Sequence, residues 1–235
     1  MRAPLTLSSM ENLVVVSGAS RGLGLAFTSQ LMRRSSATVI GASRAGNSPG
    51  LEQLISKYPG RIVPMECDVT DQSQTKALAS RVKAEHGGKV DLLLNVAGFL
   101  HGGGYMPERS LASIDAEAMT KVFATNALGP VLLAQAFAPQ MTRGAVIANL
   151  SARVGSISDN RLGGWWSYRM SKAALNMATV NMAQEARAFP PLAYIHTPST
   201  PVRCGRFRCV SRQQSSCAGR TCMPSRCIQA RLRPT

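Results

Sequence analysis

Residues 13–24 read "LVVVSGASRGLG". Leu13 and the three valines that follow form an unbroken apolar run, which suits a strand covered on both faces rather than one alternating between core and water. The run passes directly into Gly18, Gly22 and Gly24, and "LGLAFTSQLMRR" continues with helical spacing. Glycines at such a junction permit a tight turn and let the helix bring its free N–H groups close to a pyrophosphate. The strand-turn-helix therefore predicts a dinucleotide site built from Gly18, Ser20, Arg21, Gly22, Leu23 and Gly24, with an ordinary tight turn as the alternative.

Outward from this unit the same alternation continues. Strands are predicted at 13–18, 37–43, 61–68, 90–98 and 145–151, with a weaker one at 192–197. Helices are predicted at 23–35, 50–58, 72–86, 115–140 and 166–188. Strands alternating with helices call for an α/β architecture, a Rossmann-type doubly wound parallel sheet with helices on both faces. A length of 235 residues suits one such domain. The predicted organisation is a flexible tail at 1–11, a dinucleotide-binding catalytic domain at 12–196 and a basic tail at 197–235.

At the end of the second strand, "IGASRAG" offers Arg44 where a carboxylate would accept the ribose 2′-OH of NAD. With Arg21 in the glycine turn, that favours the 2′-phosphate of NADP(H). Further on, "WWSYRMSKAALN" (165–176) places Tyr168 and Lys172 four positions apart, on one face of a helix.

The net charge of +15 is unevenly spread. Residues 1–185 hold 18 Lys and Arg against all 12 Asp and Glu, whereas residues 186–235 hold 9 Arg, no Lys and no acid. Nucleic-acid binding through that tail is disfavoured because aromatic residues are not interleaved there. Cys67 stands alone, and Cys204, Cys209, Cys217, Cys222 and Cys227 crowd the last 32 residues without a CxxC pair, so no metal site is expected. The tail lacks apolar periodicity, and its abrupt change in composition near residue 196 is what a frameshifted or alternatively spliced end would give. No apolar run approaches the ~20 residues of a membrane span, and residues 1–12 lack a secretory core. The expected compartment is the cytoplasm, with an organelle address left open.

Taken in order, these motifs resemble the short-chain dehydrogenase/reductase family, and the region 149–176 looks most like its carbonyl-reductase and C-factor-like branch. The resemblance rests on GxxxGxG at Gly18, Gly22 and Gly24, Asp68-Val69, NxAG from Asn95 through Ala97 to Gly98, and YxxxK at Tyr168 and Lys172. It spans about residues 10–188. It implies adenine contacts at Asp68 and Val69, cofactor contacts at Asn95, Ala97, Gly98, Tyr168 and Lys172, and a reductase of ketones or aldehydes. Tyr168 would be the acid/base, Lys172 the cation that lowers its pKa, and Asn126 in "FATNALGP" the relay. A homodimer or homotetramer would form through the helices at 115–140 and 166–188.

Two departures accompany the resemblance. The family's NxSSxxG strand end is here Asn149, Leu150, Ser151, Ala152, Arg153, Val154, Gly155, so the usual catalytic serine position is Ala152. Ser151 is the provisional substitute, and Ser156 is a second candidate. The region after residue 196 reproduces little of the family's substrate loop or last strand. Both departures leave an alternative reading, a dinucleotide-binding protein with weak or no turnover and a regulatory or signalling role.

Overall fold

The computed structural model describes residues 12–188 and 193–196, with side chains through residue 185. The expectations for residues 1–11 and 197–235, including the tail and the missing last strand, fall outside them. Among the described residues six strands form one parallel sheet: β1 (Leu13–Ser17), β2 (Thr38–Ser43), β3 (Ile62–Glu66), β4 (Val90–Asn95), β5 (Met141–Asn149) and β6 (Ala193–His196). Their order is β3-β2-β1-β4-β5-β6, so the winding reverses between β1 and β4. In such sheets ligands bind outside the carboxyl ends of the strands at that reversal. The register there is level, with Ser17 opposite Asn95 and Asn95 opposite Asn149.

The helices are α1 (Gly22–Arg34), α2 (Pro49–Lys57), α3 (Gln72–His86), α4 (Ala116–Phe123), α5 (Gly129–Phe137) and α6 (Trp166–Ala188). Successive residues of a strand point to opposite faces, and β1 feeds two cores in this way. Val14 and Val16 join Met32, Val39 and Leu51 on one side, while Val15 packs with Ile40, Leu93, Leu133, Phe137 and Ile147 on the other. This two-sided burial is what the unbroken apolar run of β1 required.

Two local features depart from the periodic reading. The predicted single helix over 115–140 is α4 and α5 joined by a π-helical turn, Ala124–Leu128, in which the Gly129 N–H donates to the Ala124 carbonyl. Pro130 has no N–H to give to the preceding turn, so the ladder shifts ahead of it. The run Ala116–Gln140 is also long and apolar enough to cross a membrane by length and composition, contrary to the expectation that no stretch is. Here its α5 segment covers the sheet, with Leu133 and Phe137 in the core. The second departure is β5, which begins at Met141 rather than 145. Its register with β4 jumps between Val90 and Leu92, and Gly144 at φ 84 takes up the slack of the bulge.

Phe137 is the bulkiest of the fully buried side chains. Phe137→Ala is expected to lower unfolding stability by about 3–5 kcal/mol in urea titrations, through lost apolar burial and the cavity left behind.

Candidate active site

At the first βα turn, Gly18 and Gly22 take positive φ values of 73 and 55. A Cβ on Gly18 would lie 2.9 Å from the Ala97 backbone, and one on Gly24 would lie 2.1 Å from the Gly18 carbonyl oxygen. Both glycines are needed for close packing of the turn against β4 and against α1. Arg21 precedes α1 without capping it through its side chain, and the first turn carries no acid. The N–H groups opening α1 are thus left to an anion, beside open space at Gly22. That is the arrangement a dinucleotide pyrophosphate fits.

Arg21 and Arg44 are both exposed, and among the described residues neither has a carboxylate in ion-pair contact. The Ser20 carbonyl accepts from the Ser48 hydroxyl at 2.7 Å, which ties the turn to the start of α2. The Asp68 carboxylate accepts from the Thr70 backbone and hydroxyl at 2.9 and 2.8 Å, holding the chain as it leaves β3. Val69 is buried against Gly129, where a Cβ would come within 2.8 Å of it. Leu23, by contrast, is largely exposed.

Beside the winding reversal, buried amides join the strand ends to α6. Asn95 donates to Asn149 Oδ1 at 2.8 Å, and Asn149 donates to Thr179 Oγ1 at 2.9 Å, linking β4, β5 and α6. Asn126, fully buried in the π turn, holds both sides of one peptide residue. Its Oδ1 accepts the Phe99 N–H at 2.7 Å, and its Nδ2 donates to the Phe99 carbonyl at 2.8 Å and to Ser171 Oγ at 3.0 Å.

Lys172 is 5 % exposed, and its Nζ donates to the Leu150 carbonyl at 2.8 Å. Its ammonium stands 5.6 Å from the centre of the Tyr168 ring. A Cβ placed on Gly98 would lie 3.5 Å from Asn126 Oδ1 and 3.9 Å from Lys172 Nζ, so the glycine keeps the space over both groups open. Tyr168, Lys172, Asn126 and Gly98 therefore converge at one place.

The electrostatics differ from the expected pairing. Burial pushes the Tyr168 phenol above its ordinary value, and the neighbouring ammonium does not reverse this. Burial likewise lowers the Lys172 ammonium to about 8. Withdrawing both groups from water disfavours phenolate and ammonium alike, and that outweighs their attraction across this distance.

Ser151 does lie beyond the end of β5, as its use in place of Ala152 would require. Its hydroxyl, however, donates to Asn176 Oδ1 at 2.5 Å, and Asn176 donates to the Gly155 carbonyl at 3.2 Å. Ala152 is extended and half-buried. Ser156 is buried with its Oγ 3.4 Å from that of Ser158.

The short chain dehydrogenase family matches residues 12–189. The chain belongs to that family. It is 34% identical over 168 residues to 1-hydroxy-2-glutathionyl-2-methyl-3-butene dehydrogenase of Rhodococcus sp. strain AD45, covering 72% of this chain and 68% of that protein. It is 40% identical over 102 residues to C-signal of Myxococcus xanthus, covering 43% of this chain and 58% of the relative. The structure of NADPH-bound carbonyl reductase from chicken fatty liver superposes with a TM-score of 0.71 at 32% identity, covering 80% of this chain and 78% of that one. Short-chain dehydrogenases are oxidoreductases that bind a nicotinamide cofactor and act on small molecules, and this chain shares their parallel α/β fold.

Sequence reasoning missed Glu108, Ser167, Ser171, Asn176 and Thr179. The last three share α6 with Tyr168 and Lys172 at steps of three or four residues, which was a usable signal. "PERS" around Glu108 reads as an exposed turn and carried none.

Lys172 also predicts a pH dependence. Below about pH 8 both folded and unfolded chains carry its proton, and the fold bears the cost of the buried charge. Between there and the unfolded value of 10.5 the folded chain releases the proton first, so the unfolded state binds more protons and stability rises with pH. Wild type should therefore gain on Lys172→Met by about 2–3 kcal/mol between pH 7.5 and 10.5 in urea unfolding. A pH-independent difference between the two proteins would refute the depressed value.

Proposed function

We propose that the chain is an NADP(H)-dependent reductase of ketones or aldehydes, with Tyr168 as proton donor. The observation that carries this reading is the convergence of Tyr168, the buried Lys172 and the π-turn Asn126 beside the open face of Gly98. When bound, the nicotinamide supplies hydride to the carbonyl carbon. The protein's part is to bind the cofactor, orient the carbonyl and deliver a proton to its oxygen.

A phenol held above its ordinary pKa is protonated at neutral pH, which is the form reduction consumes. Lys172, lowered to about 8, lies near the pH at which an amine can pass a proton on, and its Nζ is anchored so that it cannot swing away. Asn126 fixes the Phe99 peptide and, through Ser171, the first turn of α6, so the proposed relay residue also sets the spacing between the β4 loop and Tyr168. The preference for NADP(H) rests on Arg21 and Arg44, which are exposed and, among the described residues, have no carboxylate in ion-pair contact. Exposed Leu128, Met170 and Met177 on the helices at 115–140 and 166–188 support pairing of two copies through those helices. The cytoplasm is the proposed compartment.

One observation favours the second reading, cofactor binding with weak turnover in a regulatory role. Ala152 has no hydroxyl, and Ser151 directs its proton to Asn176, so the usual second donor to a developing oxyanion is not free. Loss of one such donor costs on the order of 10²–10³-fold in rate.

The deciding experiment follows NADPH oxidation against a panel of ketones and aldehydes while NADPH affinity is measured by fluorescence. Wild type is expected to turn over, and Tyr168→Phe to lose ~10²–10⁴-fold in rate at nearly unchanged NADPH affinity. Equal turnover by both proteins would remove the mechanism, whereas tight NADPH binding without wild-type turnover would select the second reading. In the same assay Arg44→Ala should weaken NADPH by about tenfold while leaving NADH within about twofold, since only the former carries a 2′-phosphate.

A further inference from the structure

The loop between β4 and α4 is gripped twice. At its start Asn126 holds the Phe99 peptide. Further along, after a turn in which Gly102, Gly103 and Gly104 all take positive φ and Phe99 stacks on Tyr105, the chain buries Glu108 to 2 % exposure. A carboxylate this little exposed needs partners, and two of them lie at the head of α6. Its Oε1 accepts the Ser167 hydroxyl, and its Oε2 accepts the Ser167 backbone N–H at 3.2 Å. The Glu108 carbonyl accepts the Trp165 N–H at 2.6 Å.

The segment held in this way is strained. Gly163, Gly164 and Trp165 have φ values of 63, 62 and 51, and Trp165 is the one non-glycine with positive φ among the described residues. A bulky residue in that region costs about 1–3 kcal/mol and persists only where its surroundings over-determine it. Arg169 adds to the clasp, with Nε donating to the Gly163 and Gly164 carbonyls at 3.1 and 3.0 Å. Helix α6 has no acid of its own in its first turn, so Glu108 supplies from another segment the negative cap that a helix N-terminus favours. Tyr168 follows Ser167 directly, and the Trp165 ring meets the Tyr168 ring edge-on at 6.3 Å.

We propose that Glu108 is a positioning residue for Tyr168: its buried carboxylate clasps the head of α6 to the β4 loop and so fixes both the phenol and the Trp165 indole. This rests on the role proposed for Tyr168, yet it has a readout independent of it. Trp165 and Trp166 are the only tryptophans in the sequence, so intrinsic fluorescence reports on this helix end alone. Glutamine at position 108 can keep both contacts, because its oxygen accepts the N–H while the Ser167 hydroxyl turns to accept from the amide. Alanine keeps neither.

The test uses the full chain and compares wild type, Glu108→Gln, Glu108→Ala and Ser167→Ala in acrylamide quenching, NADPH affinity and carbonyl reduction. Glu108→Ala should raise tryptophan quenching above that of wild type and lower kcat by ~10–10²-fold with NADPH affinity within about twofold, since a misplacement of about 1 Å suffices for such a loss. Glu108→Gln should restore quenching and kcat to within a few-fold of wild type, and Ser167→Ala should fall between. Looser tryptophans with unchanged kcat, or a lower kcat with unchanged tryptophans, would each overturn the proposal. If Glu108→Ala does not fold, Ser167→Ala decides by the same two readings. Should wild type bind NADPH without turnover, the reductase reading fails while the quenching series still tests the clasp.

Discussion

A buried cation bound to one backbone carbonyl organises the carboxyl edge of this sheet. The Lys172 ammonium donates to the Leu150 oxygen, and that bond ties the second turn of α6 to the end of β5. The same helix face is tied again where Asn176 meets Ser151 and Gly155, and again where Thr179 meets Asn149. Positions 168, 172, 176 and 179 advance by the three- and four-residue steps of a single stripe, so each tie constrains the rotation that Tyr168 adopts. Close packing reinforces this, since a Cβ on Gly155 would lie 2.8 Å from Lys172 Cβ. The tyrosine is placed by polar contacts made elsewhere along its helix.

Much of the fold was legible in the sequence because it follows from periodicity. Helix α3 has the predicted bounds of 72–86, and the other elements before residue 115 lie within a few residues of theirs, since apolar runs and glycine turns mark where a chain enters and leaves a core. The π turn was not legible. A helical pattern with one extra residue per turn still looks helical, and only the hydrogen bond from Gly129 to Ala124 reveals it. The bulge that lengthens β5 was hidden for a related reason: Arg143 and Gly144 are exposed within it and read as loop.

The candidate site was legible as a set of residues that the fold brings together, and illegible as an energy. Spacing places Tyr168 and Lys172 on one face and suggests a cation that lowers a phenol pKa. Whether attraction or desolvation prevails depends on how much water the fold removes, and no spacing rule contains that quantity. Here burial prevails for both groups. The distinction between Ser151 and Ala152 has the same character, because identity alone does not say that Asn176 takes the serine's proton.

Glu108 marks the limit of pattern reading from another direction. Local rules place an isolated glutamate between Pro107 and Arg109 at the surface, and most such residues are there. This one is buried because α6 begins without an acid, after three left-handed residues, and its orphan donors must be met by another part of the chain. The partner is 59 residues away in sequence. A cap supplied from that distance does what a local one cannot: it makes the start of α6 depend on the loop that leaves β4. With Asn126 holding the same loop at Phe99 and the first turn of α6 through Ser171, the loop and helix are joined at two points, and neither can shift without straining a buried polar contact.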